Sequence, residues 1–176
     1  RAFIDEGQKA LYLSPPRFKA PFSEAFLAAC QEAGLVSEAP LSGAEAGRCG
    51  YFSLLQWRGQ RYSAARAYLD PIRDHPRLTL ITGAQVRRLR FQGQRAIGID
   101  YLKQRRLHHA RANGDIILCL GSFESPRVLL CSGIGPAREL GQLGFPVVQD
   151  LPGVGAELQD HVRVPVLFRS GRESPA

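Results

Sequence analysis

Apolar and polar positions alternate most regularly between residues 86 and 112. VRRLRF (86–91) alternates apolar and basic residues, as a half-exposed strand does, and RAIGIDYL (95–102) and RRLHHARA (105–112) read as the return strand and a third. Gln92-Gly93-Gln94 reads as the first reversal, and Asn113-Gly114 marks a turn after the third run. The pattern predicts an antiparallel three-stranded meander. His108 and His109 are adjacent in the third strand and so point to opposite faces, which fits solvated or packed strand residues rather than a ligand pair.

Elsewhere the runs are shorter. Pro21 to Gly34 reads as a helix capped by Ser23, with Phe22, Phe26, Leu27 and Cys30 on one face and Gly34 as its stop. Residues 1–19 read as irregular and 35–50 as a long loop. YFSLLQW (51–57) reads as a strand, and Ser63 as the cap of a helix that Pro71 ends or kinks. LTLIT (78–82) reads as a short buried strand, and DIILCL (115–120) as a continuous apolar run suited to a buried central strand of a parallel sheet. Ser125-Pro126 predicts a helix opening, with Gly133 as its cap, and Pro136 predicts a second short helix ended by Gly144. PVV (146–148) and VRVPVLF (162–168) complete the strands, Pro165 placing the last at an edge, and the tail beyond reads as frayed.

Composition changes this picture in a few places. The net charge is +7 and concentrated: residues 58–111 carry thirteen Lys or Arg against three Asp, so the remaining chain is net acidic. Such a block serves as a solvated face, as a face paired with acidic surface elsewhere, or as a seat for a polyanion. No RNA-binding, zinc-finger or helix-turn-helix pattern accompanies it, so nucleic acid is not an expected partner. No apolar run approaches a membrane span, and the N-terminus lacks a signal-peptide core. The chain opens on Arg1 and contains no Met, as expected of an internal piece or a processed product. Cys30, Cys49, Cys119 and Cys131 form no CxxC and have no histidine at ligand spacing, so no metal site is expected. Cys119 and Cys131 sit in apolar surroundings and are expected to be buried thiols, in keeping with a reducing, cytoplasmic setting.

The candidate chemistry lies where DIILCL ends. In open α/β sheets ligands gather beyond the carboxyl ends of strands. Gly121 would let the backbone approach a ligand, and the helix opening beyond it offers free N–H groups to an anion. Strand–turn–helix corners are common, so these residues by themselves leave a structural corner and an anion site both open.

GSFESPRVLLCSGIGP (121–136) resembles the second signature of the glucose–methanol–choline (GMC) family of FAD-dependent oxidoreductases. GQRYSAARAYLDPI, RLTLITGAQVRRLRFQGQRAIGIDY and FPVVQDLPGVGAELQDHV resemble the flanking segments of that family, so the similarity runs from about Phe18 to Phe168. The resemblance implies a mixed α/β fold: residues 61–161 as part of an FAD-binding domain with the meander, and 1–60 and 162–176 as pieces of a substrate-side domain. It implies that Val86 meets the adenine of FAD through its backbone, and that Gly121 and Ser122 lie near the nucleotide half of the cofactor. Asp160 and His161 match a Gln-Asp-His run with a structural role; the family's catalytic histidine lies further along its chains, so no catalytic residue is expected here.

The departures from the family pattern are equally specific. Cys119-Leu120 stands where small residues are usual, and Leu120 would crowd a backbone approach. No GxGxxG follows a strand; Gly133-Ile134-Gly135 and Gly153-Val154-Gly155 are GxG only. The implied activity is oxidation of a primary alcohol, choline-like or other, to an aldehyde with FAD as hydride acceptor. The chain by itself is expected neither to hold FAD tightly nor to turn over, and to meet the remaining segments of the enzyme, or other copies of itself, through exposed apolar faces. The alternative is a non-enzymatic module that binds a polyanion through the Arg-rich meander.

Overall fold

The computed structural model describes residues 2–3, 11–39, 41 and 46–167. They fall into two units, one of the described residues up to 79 with 166–167 and the other of 80–165.

The first unit contains β1 (Ala2–Phe3), β2 (Leu11–Ser14), α1 (Pro21–Glu32), β3 (Val36–Ser37), β4 (Arg48–Cys49), β5 (Leu54–Trp57) and β6 (Gln60–Arg61). Strands β1-β2-β5-β6 form an antiparallel sheet in that order, with Leu13 opposite Leu55 and Gln56 opposite Arg61. Tyr12 anchors it, its ring 4.2 Å from that of Trp57 and edge-on to Tyr62 at 5.0 Å. Strand β5 falls within the strand expected at 51–57, whereas β1 and β2 lie in residues 1–19, which were expected to be irregular. Strands β3 and β4 pair in parallel, Ser37 opposite Cys49.

Helix α1 opens at Pro21, not under a cap from Ser23. Ala20 holds the cap position, and Ser23 is already inside, its N–H donating to the Ala20 carbonyl at 2.9 Å. A proline that needs no N–H partner suffices for this start. Gly34, at φ +86°, stops the helix as expected. After β6, the Ser63 hydroxyl accepts the Arg66 N–H at 3.3 Å. The helix beyond is irregular, with a widened turn over Ala65–Leu69 and a tight one over Asp70–Ile72, where Pro71 has no N–H to extend a regular ladder. Residues 78–82 are coil, exposed from Thr79 onward, and not the expected strand, since nothing among the described residues pairs with them.

The meander of the second unit matches the alternation closely: β7 (Ala84–Gln92), β8 (Arg95–Lys103) and β9 (Arg106–Arg111), in that order and antiparallel. His108 stacks on Tyr101, ring centroids 5.3 Å apart, while His109 faces the other way and donates from Nδ1 to Asp100 at 2.6 Å. Asp100 is 1% exposed. It also accepts from Arg88 Nε at 2.8 Å and lies 3.8 Å from Arg90. Two of the basic residues that suggested a polyanion seat are thus engaged by a carboxylate of their own sheet.

Burial acts most strongly on Asp100 and pushes its pKa up. The hydrogen bonds and charges of Arg88 and His109 outweigh it, and the net pKa lies below the ordinary value. A carboxylate depressed in the folded state stabilises above its unfolded pKa, and that contribution is lost as pH falls through the folded one. Asp100→Asn is therefore expected to cost about 2 kcal/mol at neutral pH, the worth of a charge-assisted hydrogen bond. Thermal melts of both proteins should show the gap narrowing below roughly pH 4. A gap that stays constant through this range would contradict the assignment.

Beyond the meander lie α2 (Gly121–Leu130), β10 (Ile134–Gly135), α3 (Ala137–Gln142) and β11 (Gln149–Asp150). Val128 of α2, Leu140 of α3 and Leu89 of β7 make the small core. The buried Ser132 hydroxyl donates to the Val128 carbonyl and accepts the Leu89 N–H at 2.8 Å, joining helix to sheet. Strand β11 pairs in parallel with β10, Ile134 opposite Gln149, so the pairing falls just after the expected 146–148. Pro146 cannot donate to a ladder, and the pairing begins once it is passed.

Residues 115–120 and 162–167 are coil rather than strands, with Ile117 83% and Val162 90% exposed. Their apolar faces have no partner strand among the described residues. For the same reason Cys119 is exposed; Cys131, at the end of α2, is half-buried, and Cys30 and Cys49 are the buried thiols. Phe168 and the tail, and residues 40 and 42–45 of the long loop, lie outside the described residues.

Candidate functional site

The chain enters α2 through Gly121, whose φ is +87°. A side chain at that dihedral is strained, which is why a glycine stands there. A Cβ at Gly121 would meet nothing within 4 Å, so the space in front of it is open. The helix begins at Gly121, four residues before the Ser125-Pro126 opening expected from sequence. Ser125 still bonds to the start of the turn, but from inside the helix: its hydroxyl accepts the Leu120 N–H at 3.2 Å. Pro126, as an interior residue, removes the donor that would have met the Ser122 carbonyl. No side chain caps the N–H groups of the first turn. Such free N–H groups and the positive end of a helix dipole are the features that favour an anion.

The expected contact residues sit on two elements. Val86 is on β7, and Gly121 and Ser122 open α2. Arg127 joins those elements, its Nη2 donating to the Val86 carbonyl at 3.0 Å and its Nε to Glu124 at 2.8 Å. The hydrogen bond from Arg127 holds the Glu124 carboxyl below its ordinary pKa against a smaller push from burial, and the same pair raises Arg127. Glu124 is thus a neutralised neighbour rather than a bare anion in the first turn of the helix. Arg127 lies six residues into the helix, about 9 Å along its axis from Gly121. The sequence marks this residue only as the one basic side chain of α2, three positions after Glu124.

One flank of α2 borders an open groove of about 830 Å³, lined among others by Ser122, Pro126, Leu130, Leu140 and Val154. Asp160 accepts the N–H of His161 at 2.8 Å, an intra-turn bond, and both residues are exposed. Among the described residues no cluster of His, Cys, Asp or Glu could hold a metal ion, and no helix is long and apolar enough to cross a membrane.

The family model described as GMC oxidoreductase matches residues 3–163. The chain belongs to the GMC oxidoreductase family. Mitochondrial choline dehydrogenase of Mus musculus is 37% identical over 158 residues, which cover 90% of this chain and 26% of that protein. An alcohol dehydrogenase [acceptor] of Pseudomonas putida is 35% identical, covering 88% of this chain and 28% of its own length. Among solved structures, an FAD-dependent oxidoreductase from Chaetomium thermophilum aligns with a TM-score of 0.72 at 29% identity, over 81% of this chain and 25% of that one. The chain therefore spans about a quarter of the length of the GMC relatives it matches. The mixed helix-and-strand fold with its antiparallel three-stranded sheet is that of the FAD-binding domain in these GMC neighbours.

Proposed function

We propose that this chain forms a wall of the FAD site in a GMC enzyme that oxidises a primary alcohol, choline-like or other, to an aldehyde. The observation that carries the reading is the uncapped opening of α2 at Gly121, tied to the Val86 backbone by Arg127. The donor set suits a dinucleotide: backbone N–H groups for its phosphates, an open glycine for close approach, and a strand backbone beside it for the adenine. Val86 is assigned to the adenine, and Gly121 and Ser122 to the nucleotide half. Residues 61–161 are assigned to the FAD-binding domain, and 1–60 and 162–176 to the substrate side.

FAD, when bound, supplies the acceptor for hydride from the carbinol carbon. The chain's own residues orient and hold; none of them is assigned to take the hydroxyl proton. The experiment is anaerobic mixing of the purified full-length protein with choline and with simple primary alcohols. Bleaching of the oxidised flavin band, with the matching aldehyde formed, is expected for at least one of them. A flavin that binds but is reduced by none of them would refute the alcohol reading and leave the wall reading standing.

A further inference from the structure

Two thiols that the flavin site does not use lie together in the first unit. Cys30 is on the last turn of α1 and Cys49 on β4, and both are more than nine-tenths buried. The chain brings them together in three steps. The Leu35 N–H closes back on the Cys30 carbonyl at 3.0 Å, β3 follows at once, and β4 pairs in parallel with β3. Arg48, one residue before Cys49, bonds Glu38 at 3.3 Å, just beyond β3. Both cysteines line one open cavity of about 520 Å³, whose lining includes Leu27, Leu35, Leu41 and the exposed Phe22 and Phe26. Neither cysteine is in a disulfide.

We infer that Cys30 and Cys49 form an oxidation site, a dithiol that a hydroperoxide entering this cavity converts to a disulfide linking α1 to β4. One thiol attacks the peroxide, giving a sulfenic acid and releasing water or an alcohol. The second thiol attacks the sulfenic sulfur and expels water. Two electrons pass from the sulfurs to the peroxide, the O–O bond breaks and the S–S bond forms. A thiol with no neighbour stops at the sulfenic stage or oxidises further; the paired position directs this one to a reversible product. The Cys49 thiol is held above its ordinary pKa by burial first, then by the charge and hydrogen bond of Cys30, so it is protonated and slow at rest. Cys119, exposed on the coil before α2, serves as an internal reference for a thiol without such a partner.

The test treats the full-length protein with hydrogen peroxide, blocks remaining thiols under denaturing conditions and maps peptides without reductant. The expected product is a peptide pair joined through Cys30 and Cys49, lighter by two hydrogens than the free pair and separated by dithiothreitol. Cys30→Ser is expected to abolish it and to leave Cys49 as a singly oxidised thiol. Recovery of Cys30 and Cys49 as blocked thiols while Cys119 is oxidised would overturn the inference. So would a disulfide joining either of them to a different cysteine. The wild-type map decides the matter even if the variant fails to fold.

Discussion

Gly133→Val is expected to leave the second unit unfolded. Gly133 has φ +84°, a conformation that costs a side chain about 1–2 kcal/mol. A Cβ there would run into the Pro146 carbonyl oxygen and press on the backbone and side chain of Val148. None of these can step aside, because the Gly133 carbonyl accepts the N–H groups of Val148 at 2.8 Å and Gln149 at 3.1 Å. Relief of the clash breaks that junction and with it the approach of β11 to β10. Strain, overpacking and about two lost backbone bonds together reach roughly 4 kcal/mol, a large share of a domain's whole stability. The full-length variant should lose its cooperative melt or accumulate as insoluble protein. A variant melting within a few degrees of the parent would show that this junction does not hold the unit together.

Gly121→Val has the opposite profile. Its φ is equally positive, but a Cβ there faces open space, so the cost to the fold is limited to backbone strain. What changes is the site. The chain relieves the strain by turning the peptide that aims the Ser122 N–H, and the added methyls occupy the space that Gly121 leaves in front of α2. Loss of a charge-assisted hydrogen bond is worth about 1.5–3 kcal/mol, or roughly ten- to a hundredfold in affinity. Titration of the stripped full-length variant with FAD, beside its melting curve, should show weakened binding on a folded protein. Unchanged affinity would remove Gly121 from the cofactor wall. Comparison with Gly133→Val separates a glycine kept for packing from one kept for a ligand.

The sequence is most readable where an element carries its own neighbours. The meander follows from the 86–112 alternation because β8 finds β7 and β9 within a few residues, and His108 and His109 part to opposite faces as a strand requires. Residues 78–82 and 115–120 mislead for the converse reason. Their apolar runs describe a sheet interior, and no strand among the described residues completes it, so Leu80 and Ile117 stand exposed. Cys119 was expected to be buried on the same ground and is not.

At the candidate site, the glycine corner was legible and its detail was not. Ser125-Pro126 carries the strongest local signal for a helix start, yet the left-handed turn at Gly121 opens the helix earlier. The tie from Arg127 to the Val86 carbonyl spans forty-one positions, a separation at which no local pattern reports. The Cys30–Cys49 pair is hidden in the same way: α1, β3 and β4 bring the two thiols together, and their spacing matches no motif.

The central claim is that β7 and the opening of α2 border the nucleotide half of FAD. Its most direct test is the identity and amount of flavin released when the purified full-length protein is denatured. About one FAD per chain is expected, with the oxidised-flavin absorbance visible before denaturation. A colourless protein that does not take up FAD when supplied, or one that carries FMN and so has no adenine to place beside Val86, would contradict it.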